Sequence, residues 1–163
     1  MKTTSSLILT VWFLVGTALA EEASHVPREL DAARQLLDLP EVCETEYAQV
    51  EGTWELAQDT DKSAGARRVK VHQAGKTTVT SYDADGNVVG EHRSEYQLKK
   101  SGMARIFVYM KVVPATGPSK GRELPGPFYY AYNVQGDKFI EIYGVLAGDN
   151  RSPRMLLWNR VSR

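Results

Sequence analysis

Residues 67–98 read RRVKVHQAGKTTVTSYDADGNVVGEHRSEYQL, and this stretch carries the clearest fold signal in the chain. Its apolar residues either alternate with polar ones, the two-residue period of a half-buried β-strand, or come with the threonines that strands favour. Three such runs are present: 67–73, 76–82 and 88–98. Short turn sequences that contain Gly75 and Gly86 separate them, and glycine suits the positive φ of tight turns. The stretch therefore predicts three consecutive antiparallel strands.

The same pattern continues on both sides of this stretch. Further strands are predicted near 53–58, 103–113, 127–134, 138–146 and 155–161. Most of the connections are short, so neighbouring strands are expected to pair in sequence order as an up-and-down meander. About eight strands can close into a barrel that removes unpaired edges and has room for side chains or one small ligand. We therefore predict an all-β, roughly eight-stranded antiparallel barrel.

The N-terminal residues have a different character. Lys2, the apolar run 7–15 and the small residues Ala18 and Ala20 form the pattern of a cleavable signal peptide over 1–20. Residues 21–45 are predicted to be an N-terminal segment with a short amphipathic helix over 27–38, either a lid against the barrel or a tether outside it. Residues 46–163 are predicted to be the barrel domain. The expected localisation is the periplasm or the extracellular space.

Charge and cysteine content restrict the possible partners. The chain has a formal net charge of +0, so it has no long-range attraction to nucleic acid or to an anionic membrane surface. No nucleic-acid partner and no stable membrane anchor are expected. Cys43 is the single cysteine and cannot form an internal disulfide, so the fold must depend on packing and hydrogen bonds. The sequence is consistent with either a buried, inert thiol or a thiol available for an intermolecular bond.

Gly52-Thr53-Trp54 begins the first predicted strand, and Arg160 lies in the last one. A Gly-x-Trp on strand one with a basic residue on the final strand resembles the lipocalin superfamily, within the calycins. The segment 47–56 and the 136–138 turn narrow the resemblance to a lipocalin-like domain family known mainly from planctomycete bacteria. It covers most of 46–161 and implies that Trp54 closes the barrel bottom while Arg160 packs across its indole. That family carries no assigned activity, and the loop 114–126 is longer than its pattern suggests.

Strand parity selects a set of candidate cavity-lining residues. The predicted ligand-binding residues are Val69, Val71, His92, Tyr96, Ile106, Val108, Met110, Tyr130 and Tyr132. Tyrosines suit a binding site because each offers an apolar ring and one hydrogen-bonding group. Because a one-residue shift of register exchanges the two faces of a strand, this set depends on the assumed parity.

These features predict a binding module for a small apolar or amphipathic ligand that enters near the loop 114–126. The alternative is a filled barrel that acts as an interaction protein, an inhibitor or an envelope component through loops 114–126 and 147–153. An enzyme is the least favoured class, since no catalytic motif, cofactor motif or metal-ligand spacing is present. An open apolar cavity would favour the first class, and a filled core would favour the second.

Overall fold

The structure, a computed structural model, describes residues 34–59, 67–146 and 149–162. The predicted signal peptide, residues 27–33 of the predicted helix and residues 147–148 of the second predicted loop lie outside this part of the chain. The division into domains stays a prediction.

Eight antiparallel strands form a closed barrel in sequence order. They are β1 (Gly52–Asp59), β2 (Arg67–Gln73), β3 (Lys76–Tyr82), β4 (Val88–Ser101), β5 (Ala104–Pro114), β6 (Phe128–Gln135), β7 (Lys138–Tyr143) and β8 (Arg154–Ser162). Each strand pairs with the next, and β8 returns to pair with β1, with Trp54 opposite Arg160. The predicted all-β barrel is therefore confirmed.

Two strand ends differ from the prediction by three residues. β4 continues to Ser101 rather than ending at residue 98, and β7 ends at Tyr143 rather than at residue 146. Gly144 follows with a φ of 74°. A Cβ at that position would lie 2.4 Å from the carbonyl oxygen of Arg151, so only glycine fits without a shift of backbone. The Gly144 amide donates to the Asp149 carboxylate at 2.7 Å. The chain therefore leaves the barrel wall here and forms a compact loop.

Two helical segments precede the barrel. α1 (Glu44–Val50) was not predicted, and it leads directly into β1. Residues 34–37 are helical and form the described end of the predicted 27–38 helix. Leu36, Leu37 and Leu39 pack against a cluster on the outer wall of the barrel formed by Ile106, Val108 and Tyr129. The segment therefore lies on the outside of the barrel.

One end of the barrel is sealed by Trp54 and its neighbours. The Trp54 indole nitrogen donates to the carbonyl oxygen of Val50 at 2.8 Å, which ties α1 to β1. The Arg160 guanidinium carbon lies 3.9 Å from the centre of the Trp54 ring system. Arg160 also donates to the carbonyl oxygens of Glu51 at 2.7 Å and Gln49 at 2.6 Å. We call this end, with the turns 74–75, 102–103 and 136–137, the closed end, and the opposite one the loop end.

Aromatic side chains fill the interior next to the closed end. His72 lies among them, with ring centroids 5.1 Å from those of Tyr96 and Phe107 and 5.7 Å from that of Phe139. Tyr132 packs edge-on against Phe107 at 5.8 Å. All five side chains are buried, so this half of the barrel is a packed core.

Replacement of Arg160 by methionine is expected to lower the free energy of unfolding by about 2–4 kcal/mol. The loss comes from the contact with the Trp54 ring and from two charge-assisted hydrogen bonds. Urea unfolding measures it. Arg122→Met, at an exposed loop position, is the matched control and should change the free energy of unfolding by less than about 0.5 kcal/mol. Equal effects of the two substitutions would contradict this role for Arg160.

Candidate functional site

The half of the barrel next to the loop end contains a cavity of about 410 Å³. This volume lies within the usual range of about 300–1,000 Å³ for small-molecule sites. Strands β2 to β8 all contribute to the lining, and the loop between β5 and β6 adds Thr116 and Leu124. The lining residues are Arg68, Lys70, Val79, Ser81, Gly90, Glu91, His92, Ser94, Tyr109, Val112, Pro114, Thr116, Leu124, Phe128, Tyr130, Glu141, Arg151, Leu156 and Trp158.

One wall of the cavity is polar and comes from β2, β3 and β4. The pairing of these strands places cavity-lining residues in rows across the sheet. The row nearest the loop end is Arg68, Ser81 and Gly90, and the row below it is Lys70, Val79 and His92. This wall therefore combines two basic side chains, a hydroxyl group and an imidazole.

The facing wall is mostly aromatic and comes from β5, β6 and β8. Tyr109 and Tyr130 meet edge-on with centroids 5.3 Å apart, and Trp158 is fully buried beside them. Near the loop end, the Arg151 guanidinium lies 4.5 Å from the Tyr143 ring centre and 5.1 Å from that of Tyr130. The cavity is thus amphipathic, with ring faces opposite polar groups.

A buried hydrogen-bonded group joins the two walls at the base of the cavity. Glu141 is completely buried, and it forms an ion pair with Lys70. Its other partners are the Tyr109 hydroxyl, which donates at 2.6 Å, and the Trp158 indole nitrogen, which donates at 2.9 Å. Lys70 also donates to the Tyr109 hydroxyl at 2.9 Å. We call these four residues the Lys70–Glu141 network.

Contacts with aromatic rings complete the surroundings of the Lys70 ammonium group. Its nitrogen lies 4.1 Å from the Trp158 ring centre and 5.4 Å from the rings of Tyr109 and Phe139. Such rings stabilise a cation that has lost its water. Both oxygens of Glu141 are occupied by donors. The contacts within the Lys70–Glu141 network and with the neighbouring rings therefore compensate the charges of both Lys70 and Glu141.

Burial changes the proton affinities of the groups around the cavity. It lowers the pKa of Lys70, and the nearby Glu141 charge opposes that shift. The pKa of Tyr109 is raised well above its ordinary value by burial and by Glu141. Burial and the Lys70 charge lower the pKa of His72 well below its ordinary value, and burial also lowers that of His92. Both imidazoles are therefore neutral at pH 7.

The structure separates the predicted ligand-binding residues into three groups. His92 and Tyr130 line the cavity. Tyr96 and Tyr132 face the interior but belong to the packed core next to the closed end. The remaining residues, Val69, Val71, Ile106, Val108 and Met110, lie on the outer face of the barrel.

The predicted parity of β5 is corrected because this strand is apolar on both faces. Ile106 and Val108 belong to the cluster on the outer wall, and Met110, Leu36 and Leu37 pack against it. A bulge near Lys111, which has a φ of 50°, then turns Val112 inward. On β2, Val69 and Val71 face outward, and Arg68, Lys70 and His72 face the interior.

The most buried polar residues of the site, Lys70 and Glu141, were not predicted. On β2, the parity that places Val69 and Val71 inside the barrel places the charged residues on the opposite face. A signal for Glu141 is present in the sequence, because Phe139 and Tyr143 share its strand face. A lone carboxylate between two aromatic residues at a spacing of two indicates a buried acid that needs a partner.

Comparison with known protein families, with curated proteins and with solved structures found no match. Among the described residues, no helix has the length and apolar character to cross a membrane. Within the same part of the chain, no cluster of three or more His, Cys, Asp or Glu side chains could hold a metal ion. Cys43 is exposed, so the buried alternative for this thiol is wrong.

Lys70→Met is expected to cost about 3–5 kcal/mol of unfolding free energy, because it leaves the Glu141 charge buried without its partner. The double variant Lys70→Met/Glu141→Gln removes that charge and leaves a carbonyl acceptor for Tyr109 or Trp158. It should be more stable than the single variant. Urea unfolding at pH 7 measures both variants. If the double variant is less stable than Lys70→Met, the two residues are not coupled as described.

The stability of the protein is expected to fall as the pH drops from 6.5 to 5. Below pH 6.5 the unfolded chain takes up a proton at His72, whereas the folded protein, with its lowered His72 pKa, does not. The loss per histidine is at most about 1.4 kcal/mol per pH unit. His72→Phe should reduce the slope of unfolding free energy against pH in this window. His92 accounts for part of the slope that remains in this variant. An unchanged slope would contradict the neutral buried state of His72.

Proposed function

We propose that this protein is an exported binding module for a small apolar or amphipathic molecule, which it holds in the cavity next to the loop end. Export rests on the signal peptide expected over 1–20. The packing of Arg160 across Trp54 supports a relationship to the lipocalin superfamily, which stays a proposal.

The observation that carries this proposal is the uneven filling of the barrel. Side chains pack the half next to the closed end, whereas the half next to the loop end keeps about 410 Å³ of space. A barrel that served only as a scaffold for surface loops would gain stability from a filled interior. The unfilled half therefore favours a binding module over the alternative, a filled barrel that acts as an interaction protein.

The chemistry of the walls fits an amphipathic occupant. Tyr109, Tyr130 and Trp158 present ring surface, which favours apolar or planar groups. The Ser94 hydroxyl is buried, lines the cavity and lacks a hydrogen-bond partner among the described residues. An unpaired buried hydroxyl is costly, and a polar atom of a ligand would satisfy it. The proposed activity is binding, and no step of it requires catalysis.

The loop between β5 and β6 supports entry near 114–126. It is held to the barrel rim by the Glu91 amide, which donates to the Thr116 hydroxyl at 2.9 Å, and by the Leu124 amide, which donates to the Val112 carbonyl at 2.8 Å. These bonds place Leu124 against the cavity. The loop between β5 and β6 thus forms part of the rim of the cavity.

A neutral apolar dye, N-phenyl-naphthylamine, tests the proposal. It fluoresces when it leaves water, and we expect saturable binding to the mature protein. Val79 lines the cavity and Thr78, its neighbour on β3, does not. Val79→Phe should fill part of the cavity and weaken dye binding about tenfold or more, in line with a loss of at least about 1.4 kcal/mol.

Thr78→Phe is the matched control, because it adds a ring on the outer face of the same strand. Dye affinity should stay close to that of the unmodified protein in this variant. Circular dichroism spectra of both variants verify the fold. If the dye fails to bind the unmodified protein, or if the two substitutions weaken binding equally, the cavity is not the binding site.

A further inference from the structure

Among the described residues that line the cavity, the charges do not cancel, and one basic side chain is left over. Lys70 is neutralised by Glu141 within the network described above. Arg151 is neutralised by Asp149, to which its Nε and Nη2 donate at 2.8 and 2.7 Å. The carboxylates of Glu141 and Asp149 and the guanidinium of Arg151 are therefore already paired within the protein.

Glu91, the remaining acidic residue in the lining, is also committed. Its carboxylate accepts hydrogen bonds at 3.1 and 2.9 Å from the Nε and Nη2 of Arg93, whose side chain points to solvent. No carboxylate among the described lining residues is thus available to a basic residue inside the site.

Arg68 is the unbalanced cation. Its Nε donates to the Ser81 hydroxyl at 3.3 Å, and none of the carboxylates whose side chains the structure describes, a set that leaves out Asp59, lies within ion-pair distance of its guanidinium group. A guanidinium offers five N–H donors, so most of its donors remain for a ligand. Arg68 is half-buried, which keeps its charge less screened than that of a surface arginine.

The space beside Arg68 is open on the cavity side. Gly90 ends the row of Arg68 and Ser81, and a Cβ there would touch only Ser81, at 3.7 Å from its Cβ and 3.9 Å from its Oγ. Because glycine has no side chain, the row has room for a ligand group next to the guanidinium. In the next row, His92 is neutral, and Lys70 is already paired with Glu141. The Ser94 hydroxyl, deeper in the same wall and without a partner among the described residues, offers a second polar contact.

The geometry points to an amphipathic carboxylic acid as the ligand class, with its carboxylate on Arg68 and its apolar body against Tyr109, Tyr130 and Trp158. This inference rests on the proposed function and adds the charge of the ligand to it. An anion balances the charge of Arg68, which no described carboxylate in the lining compensates. A cationic ligand would add to that charge, and a neutral one would leave it without a counter-ion. Arginine is well suited to the role because its planar fork matches a carboxylate in two hydrogen bonds.

A pair of competitors that differ mainly in charge tests this inference. Naphthoic acid and naphthalenemethanol share a ring system, and at pH 7.5 only the acid is charged. Each is titrated against bound N-phenyl-naphthylamine, and the ratio of the two displacement constants is the readout. Because both competitors are read against the same dye, the ratio does not depend on the affinity of the dye itself.

The acid is expected to displace the dye at a concentration about tenfold or more below that of the alcohol, the factor typical of a hydrogen bond to a charged group. In Arg68→Met the ratio should fall to near one. Arg67→Met is the matched control, because Arg67 neighbours Arg68 on β2 but is exposed and paired with Glu55. In this control the preference for the acid should persist.

The outcomes separate the two proposals. If the dye binds but the alcohol displaces it as well as the acid does, the ligand is not selected by its charge and only this inference fails. A preference for the acid that survives in Arg68→Met would also overturn it. If the dye does not bind the unmodified protein at all, the proposed function fails, and the inference that rests on it fails with it.

Discussion

The burial of the Lys70–Glu141 ion pair inside a closed barrel is the constraint on which the rest of the structure depends. Glu141 is completely buried, so its charge requires a full set of donors close by. Lys70, Tyr109 and Trp158 supply them from three other strands. The register of β2, β5, β7 and β8 must therefore bring these side chains together. A slip of one residue in any of these strands would break the network.

The network also divides the barrel into two halves with different properties. Towards the closed end, aromatic side chains and the Trp54–Arg160 pair form a dense core. Towards the loop end, the two walls of the cavity separate and leave space between them. Because the polar groups at the base are satisfied by one another, an apolar molecule can rest on them without removing their hydrogen bonds. The packed half gives rigidity, and the open half remains for the proposed ligand.

The barrel architecture could be predicted from sequence because it depends on local patterns. Alternation and turn residues located all eight strands, and the Gly-x-Trp sequence with Arg160 indicated how one end closes. The helix α1 was missed because it is seven residues long with a single buried residue, Val50, which leaves no helical periodicity to detect. Of the helix predicted over 27–38 from its spaced leucines, the structure describes residues from 34 onward, and residues 34–37 are helical.

The lining of the site was harder to predict because hydrophobicity did not identify the inner face. On β5 both faces are apolar, since Leu36 and Leu37 cover the outside. On β2 the inner face carries Arg68, Lys70 and His72, and Val71 is exposed at 36%. These polar residues face inward because partners from distant strands and the cavity accommodate them. No pattern within β2 alone contains that information.

The most direct test of the two-part interior is a map of amide chemical-shift changes by heteronuclear NMR as N-phenyl-naphthylamine is added. We expect changes concentrated at the residues around the cavity, such as Val79, His92 and Tyr130. The amides around Leu98 and Phe107, next to the closed end, should remain where they are. Changes confined to the closed end or to the outer surface would contradict the division of the barrel into a packed half and a binding half.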